Sequence, residues 1–80
     1  MDTKIKIKIS TVSDINNFLI AAQEFESDID VIYGRYTIDG KSTLGVHSLD
    51  LSKPIYVEII SEDKKEIKKF NKVMKAFEVK

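Results

Sequence analysis

The sequence predicts an α+β fold in which helices cover one face of a four-stranded antiparallel sheet. Two observations carry this prediction. Apolar and polar residues alternate in the strand-like segments, so each strand has one apolar side. The strand-like and helix-like segments follow one another in the order β-α-β-β-α-β-α. Because only one side of each strand is apolar, the helices are expected to cover that side and leave the other to solvent.

A change of period marks the first strand and the first helix. Residues 4–9 alternate Lys and Ile, which gives one apolar face and one face with three lysines. Apolar residues then recur at helical spacing and predict a helix over about 13–26. Polar residues suited to its N-terminus are Thr11, Ser13 and, in the first turn, Asp14.

Turn-forming residues divide the middle of the chain into a hairpin and a short helix. Residues 29–33 and 35–38 predict two strands around a tight turn at Gly34. The next turn, at residues 39–40, leads to a short helix capped by Ser42. Its apolar contacts are expected from Leu44, Val46 and Leu49.

The last strand and helix follow a proline. Residues 55–60 alternate and form the fourth strand, which Pro54 can begin. Asp63 opens the last helix, with Glu66 as its capping-box partner. The apolar face of this helix comprises Ile67, Phe70, Val73, Met74 and Phe77. A ferredoxin-like split βαβ fold shares the first six elements, and periodicity alone does not separate the two folds.

Composition excludes several classes of protein. Eighty residues suffice for one domain, 1–80, and the absence of cysteine excludes disulfides and thiolate metal sites. Thirteen basic residues balance thirteen acidic ones, so no net charge favours nucleic acid or anionic lipid. No apolar run approaches the roughly 20 residues of a membrane helix. We therefore expect a cytoplasmic protein without a metal or cofactor.

Six lysines give the last helix a basic face. Such a face can contact nucleic acid, but most of these lysines lie opposite the apolar stripe, as in any solvated helix, and we expect no nucleic-acid partner. They are Lys64, Lys65, Lys68, Lys69, Lys72 and Lys75.

Two segments resemble the phosphocarrier HPr family of the sugar phosphotransferase system. Residues 25–29 read Phe-Glu-Ser-Asp-Ile and match the family pattern F-x-S-x-I. Residues 41–49 read Lys-Ser-Thr-Leu-Gly-Val-His-Ser-Leu and follow K-S-I-M-G-V-M-S-L without a gap. The resemblance extends over the whole chain and implies an open-faced sandwich, with three helices on one face of the sheet.

The resemblance fails where the family carries phosphate. There the first helix begins with His-x-Arg-Pro, and its histidine accepts phosphate from enzyme I. Counted back from Ser27 without gaps, the three positions hold Thr11, Ser13 and Asp14. A threonine hydroxyl is not a good nucleophile near neutral pH and forms no labile phosphoramidate. The resemblance thus implies a divergent member without the phosphoacceptor histidine, whereas the simpler interpretation is that Thr11 and Ser13 only cap the helix.

Ser42 matches the second phosphorylation site of the family. In many Gram-positive bacteria this serine is modified by the bifunctional HPr kinase/phosphorylase. A phosphate would add about −1.5 to −2 charges at the start of the second helix and would change the surface offered to partners. The alternative is that Ser42 is only an N-cap.

The family docks its partners on exposed positions of the second helix, which here are Thr43, Leu44 and His47. The implied partners are the kinase/phosphorylase, phosphotransferase components or a transcriptional regulator. A regulatory module that is not an enzyme is the first hypothesis, and a phosphoryl carrier with an atypical acceptor such as His47 is the second. A third is a scaffold that uses neither site.

Overall fold

The computed structural model describes residues 4–50 and 54–78. The predicted order of strands and helices is confirmed, and a 3₁₀ turn at Lys75–Phe77 follows the last helix. The strands are β1 at Ile5–Ile7, β2 at Asp28–Tyr33, β3 at Tyr36–Asp39 and β4 at Ile55–Ile60. The helices are α1 at Val12–Ala22, α2 at Thr43–His47 and α3 at Lys64–Met74.

The four strands form one antiparallel sheet in the order β1-β4-β2-β3. β4 is therefore inserted between β1 and β2. In the split βαβ arrangement β3 would occupy that place, so the ferredoxin-like alternative is excluded. The α+β class, with three helices and a four-stranded antiparallel sheet, is confirmed.

The core lies between the apolar side of the sheet and the helices. Strand residues that point to this side are buried, among them Ile7, Ile29, Val31, Ile55, Val57 and Ile59. Helix α1 covers them with Phe18, and α3 covers them with Phe70 and Met74. Edge-to-face ring contacts join Phe18 to Phe77 at 5.9 Å and Phe25 to Phe70 at 5.6 Å between centroids. The periodicity of the sequence thus assigned the buried faces of β1, β2, β4, α1 and α3 correctly.

Helix α1 ends at Ala22 rather than near residue 26. The amides of Glu24 and Phe25 bond to carbonyls only three residues back, which tightens the chain into a turn. Phe25 then packs in the core at 3% exposure. The free energy gained by burying this ring exceeds the free energy of one further turn of helix.

The capping box predicted for α3 is wrong. Asp63 caps the helix as expected and accepts the amide of Lys65 at 2.9 Å. The Glu66 carboxylate turns instead to the connection between α1 and β2, where it accepts the amides of Glu26 and Ser27. A capping box is formed at α1, where Thr11 is the N-cap and Ser13 lies inside the helix.

Leu44 does not join the core. Val46 and Leu49 are buried as predicted, but the Leu44 side chain is 82% exposed. Val46 is the buried residue of this short helix, and Leu44 lies on its solvent-exposed side.

Candidate functional site

The N-terminus of α1 is closed by its own side chains. The Thr11 hydroxyl accepts the Asp14 amide at 3.1 Å. In return Oδ2 of Asp14 accepts the amides of Ser10 at 3.0 Å and Thr11 at 3.2 Å. This capping box uses the amides of Thr11 and Asp14, two of the groups that could otherwise bind an anion at the beginning of the helix.

The hydrogen bonds to Asp14 also stabilise its negative charge. They hold the pKa of the carboxyl below its ordinary value, with the amide of Ser10 as the largest cause and Thr11 adding to it, although desolvation acts in the opposite direction. A carboxylate that stays ionised at neutral pH places a fixed negative charge at the entrance to α1. This charge repels a phosphoryl group there.

Ser42 is the N-cap of α2. Its hydroxyl oxygen accepts the amide of Gly45 at 3.1 Å, and the residue is half-buried. Gly45 permits this close turn, because a Cβ at that position would lie 3.2 Å from the Ser42 oxygen. The hydroxyl therefore begins the helix at a point that remains partly open to solvent.

Hydrogen bonds from two side chains join the beginning of α2 to the end of α1. Nε2 of Gln23 donates to the carbonyl oxygen of Lys41 at 2.9 Å. The Lys41 ammonium donates to the carbonyl of Phe25. Ser42 is thereby held at a defined place beside the C-terminal end of α1.

Three large apolar side chains are exposed on these two helices. Val12 is 63% exposed, Ile20 is 66% exposed and Leu44 is 82% exposed. Val12 lies in the first turn of α1, and Ile20 lies one turn before Gln23, near the other end. Since Gln23 bonds to the residue before Ser42, the end of α1 that carries Ile20 lies beside the beginning of α2.

The structure brings together the sequence-predicted residues of α2. Thr43 and Leu44 are exposed in its first turn, next to Ser42, and His47 is exposed at its last position. Thr11 lies at the other end of α1. Sequence reasoning did not single out Val12 or Ile20. Ile20 departs from the buried stripe of α1, and that departure is a readable signal of an exposed apolar side chain, whereas Val12 is spaced as a member of the stripe and its exposure in the first turn was not readable.

The connection between α1 and β2 is bound by charged side chains from α3. Oε1 of Glu66 accepts the Glu26 amide at 3.0 Å, the Ser27 amide at 3.2 Å and the Ser27 hydroxyl at 3.3 Å. Lys69 donates to the carbonyl of Glu24 at 3.3 Å and lies 5.0 Å above the Phe25 ring. Lys69 therefore contacts the connection between α1 and β2, whereas a solvated basic face would leave its ammonium group in water.

No cluster of metal-ligating side chains occurs within residues 4–50 and 54–78. Over the same residues, none of the helices is both long and apolar enough to cross a membrane.

A protein-family model, PTS-HPr, described as the PTS HPr component phosphorylation site, matches residues 14–78 of this chain. No curated protein sequence gives a significant match.

Solved structures that share the fold include the following two. The crystal structure of HPr-C-His from Thermoanaerobacter tengcongensis superposes with a TM-score of 0.71 at 21% sequence identity, over 95% of this chain and 93% of that one. The phosphocarrier protein HPr from Bacillus anthracis superposes with a TM-score of 0.70 at 17% identity, over 94% of this chain and 95% of that one.

Proposed function

The chain belongs to the HPr family of the sugar phosphotransferase system, and we propose that it acts there as a regulatory interaction module rather than as a histidine phosphocarrier. Proteins of this family carry phosphate and are not catalytic enzymes. In this proposal Ser42 is the residue that receives phosphate, and Thr43, Leu44 and His47 contact the partner.

The capping box of α1 is the observation that carries the proposal. A phosphocarrier needs a nucleophilic imidazole and an anion-binding helix N-terminus. Here the N-cap is Thr11, and the carboxylate of Asp14 already accepts the amides of Ser10 and Thr11. A threonine hydroxyl beside a fixed negative charge is unsuited to accepting phosphate and passing it on.

The surface around Ser42 supports a role in docking. Leu44, two residues after Ser42 and 82% exposed, presents apolar area of the kind that protein partners bury. Phosphate on the half-buried Ser42 would place about −1.5 to −2 charges beside this area. A partner that binds through Leu44 would therefore distinguish the two states of Ser42 by charge.

His47 is less suited to the carrier role. It is exposed at the end of α2, and within the described residues no hydrogen bond orients its imidazole. A phosphoacceptor histidine needs a ring nitrogen held towards the donor and groups that bind the transferred phosphate. We therefore assign His47 to the docking surface rather than to phosphate transfer.

The remaining features of the proposal follow from the family. The whole chain, 1–80, acts as a single HPr-like domain in the cytoplasm. Its partners are the HPr kinase/phosphorylase and phosphotransferase components or a transcriptional regulator.

Two labelling reactions test the proposal. With ATP and the cognate HPr kinase/phosphorylase, the wild-type protein should acquire an acid-stable phosphate, and Ser42→Ala should acquire none. Ser48→Ala is the matched control, because Ser48 is an exposed hydroxyl at the other end of α2. With phosphoenolpyruvate and enzyme I, no acid-labile phosphate should form.

The outcomes separate the three hypotheses. Acid-labile phosphate that disappears in His47→Ala would establish the carrier and refute the regulatory role. Absence of label in both reactions would leave a scaffold and would equally refute phosphorylation at Ser42.

A further inference from the structure

The two edges of the sheet differ in what covers them. Along β1, Ile7 forms a bridge with Glu78 and the amide of Lys8 donates to the carbonyl of Phe77 at 2.7 Å. The chain near its C-terminus therefore lies on the outer side of β1. Strand β3 forms the other edge and pairs only with β2. Within the described residues, β3 is the open edge of this sheet.

The hairpin decides which backbone groups of β3 point outwards. Tyr33 pairs with Tyr36 around a two-residue turn, and the amide of Gly40 donates to the carbonyl of Ile29 at 2.7 Å. Hydrogen-bonded pairs alternate along an antiparallel ladder, so the even-numbered residues of β3 bond to β2. The amide and carbonyl of Thr37, at the middle of the edge, consequently point away from the sheet.

We propose that two copies of this chain associate through their β3 strands, antiparallel, about a two-fold axis at Thr37. The two amides and two carbonyls of the Thr37 pair then satisfy each other. The two four-stranded sheets become one continuous sheet across the axis. β3 carries no proline and ends in no bulge that would block such pairing.

Charge complementarity selects this register. With Thr37 opposite Thr37, Arg35 of each copy, in the turn before β3, comes opposite Asp39 of the other, which gives two symmetric pairs of opposite charge. In the single chain the Arg35 guanidinium lies 5.5 Å from the ring centroid of Tyr36, so it has to leave this ring to reach Asp39 of the other copy. The Asp39 carboxylate is oriented at the end of the strand, because its Oδ1 accepts the amide of Lys41 at 2.9 Å. Its neighbour across the ladder is the acidic Asp30, so an incoming arginine meets two negative charges.

The side chains agree with the same register. On the helix-covered side, Tyr36 of one copy lies opposite Ile38 of the other, and Tyr36 is 51% exposed in the single chain. On the open side, the two threonines form a directly opposed pair, which is favourable in sheets. Two strands this short form an interface below the roughly 1,200 Å² of a standard complex, so we expect reversible association at high protein concentration.

Disulfide trapping tests the register directly, because the chain has no cysteine. In a hydrogen-bonded pair the Cα atoms lie about 5.5 Å apart, within the roughly 4.4–6.8 Å that a disulfide spans. Thr37→Cys in a glutathione redox buffer should give a covalent dimer. Thr43→Cys, an exposed threonine on α2, is the matched control and should remain monomeric. Equal cross-linking of the two variants, or none of Thr37→Cys, would overturn the proposal.

Sedimentation equilibrium measures the part played by charge. Arg35→Glu places like charges opposite each other at both ends of the pairing and should raise the dissociation constant of the dimer roughly tenfold. Lys68→Glu makes the same change of net charge on the exposed side of α3 and should leave the constant unchanged. Circular dichroism of both variants establishes that they fold. An unchanged constant in Arg35→Glu, or association of the wild type with other proteins but never with itself, would refute the inference.

Discussion

Replacement of Glu66 tests how the fold holds the connection between α1 and β2. Glu66→Ala removes the carboxylate that accepts the amides of Glu26 and Ser27 and the Ser27 hydroxyl, at 3.0–3.3 Å. The connection carries Phe25, which is buried against α3. We therefore expect the substitution to lower the free energy of unfolding of the whole domain and not only to loosen the connection.

The expected magnitude follows from the exposure of each donor. A hydrogen bond to a charged acceptor is worth about 1.5–3 kcal/mol when removal leaves its partner unsatisfied. The amide of Glu26 is exposed and regains water, whereas Ser27 is partly buried and does not do so fully. Glu66→Ala should therefore lower the free energy of unfolding by about 2 kcal/mol, and Glu66→Gln, which keeps an acceptor oxygen, by about 1 kcal/mol.

Urea unfolding followed by circular dichroism measures both variants, and thermal unfolding should show a fall of about 4–8 °C per kcal/mol. Glu62→Ala is the matched control, because Glu62 is exposed in the connection before α3. A loss below about 0.5 kcal/mol in Glu66→Ala, the range of ordinary surface substitutions, would refute the reasoning. Equal losses in Glu66→Ala and Glu66→Gln would show that charge, not hydrogen bonding, is responsible.

Three further substitutions have defined outcomes. Gly40→Ala should destabilise the protein by about 1–3 kcal/mol in urea unfolding, because a Cβ there would lie 2.9 Å from the carbonyl oxygen of Ile29. An unchanged free energy of unfolding would mean that strand β2 shifts to make room for the methyl group. Desolvation, followed by the charge of Glu58, raises the pKa of Asp30, so ionised Asp30 opposes folding. Asp30→Asn should therefore have a higher free energy of unfolding than wild type at neutral pH, and this difference should vanish as the pH falls through the raised pKa towards 3.8. A difference that does not change with pH in urea unfolding would show that ionised Asp30 does not oppose folding. Ser42→Ala removes the N-cap of α2 and should cost about 1 kcal/mol in thermal unfolding, and a cost near zero would show that α2 is held by its contacts alone.

The order and type of the elements could be predicted from the sequence because both depend on local periodicity. Alternation in residues 4–9 and 55–60 and helical spacing in α1 and α3 identify which side chains are buried. The cap at Ser42 was predictable for the same reason, since a capping hydroxyl and the amide that it accepts are three residues apart.

The sequence pattern misplaced features that depend on distant partners. Glu66 has the right spacing from Asp63 for a capping box, yet its carboxylate accepts amides some 40 residues earlier in the chain. Helix α1 ends early because Phe25 is buried against Phe70 of α3. Helix propensity depends on the local sequence alone, so it does not include these tertiary contacts.

Local sequence patterns were sufficient to predict the kinds of secondary structure, most of the buried faces and the family segments at residues 25–29 and 41–49. Contacts across the fold were needed to establish that β4 lies between β1 and β2, that β3 forms an open edge within the described residues, and that Glu66 binds the connection between α1 and β2. The reason is physical: periodicity records which side of an element is apolar, whereas strand order and the partners of charged groups depend on contacts between residues far apart in the chain.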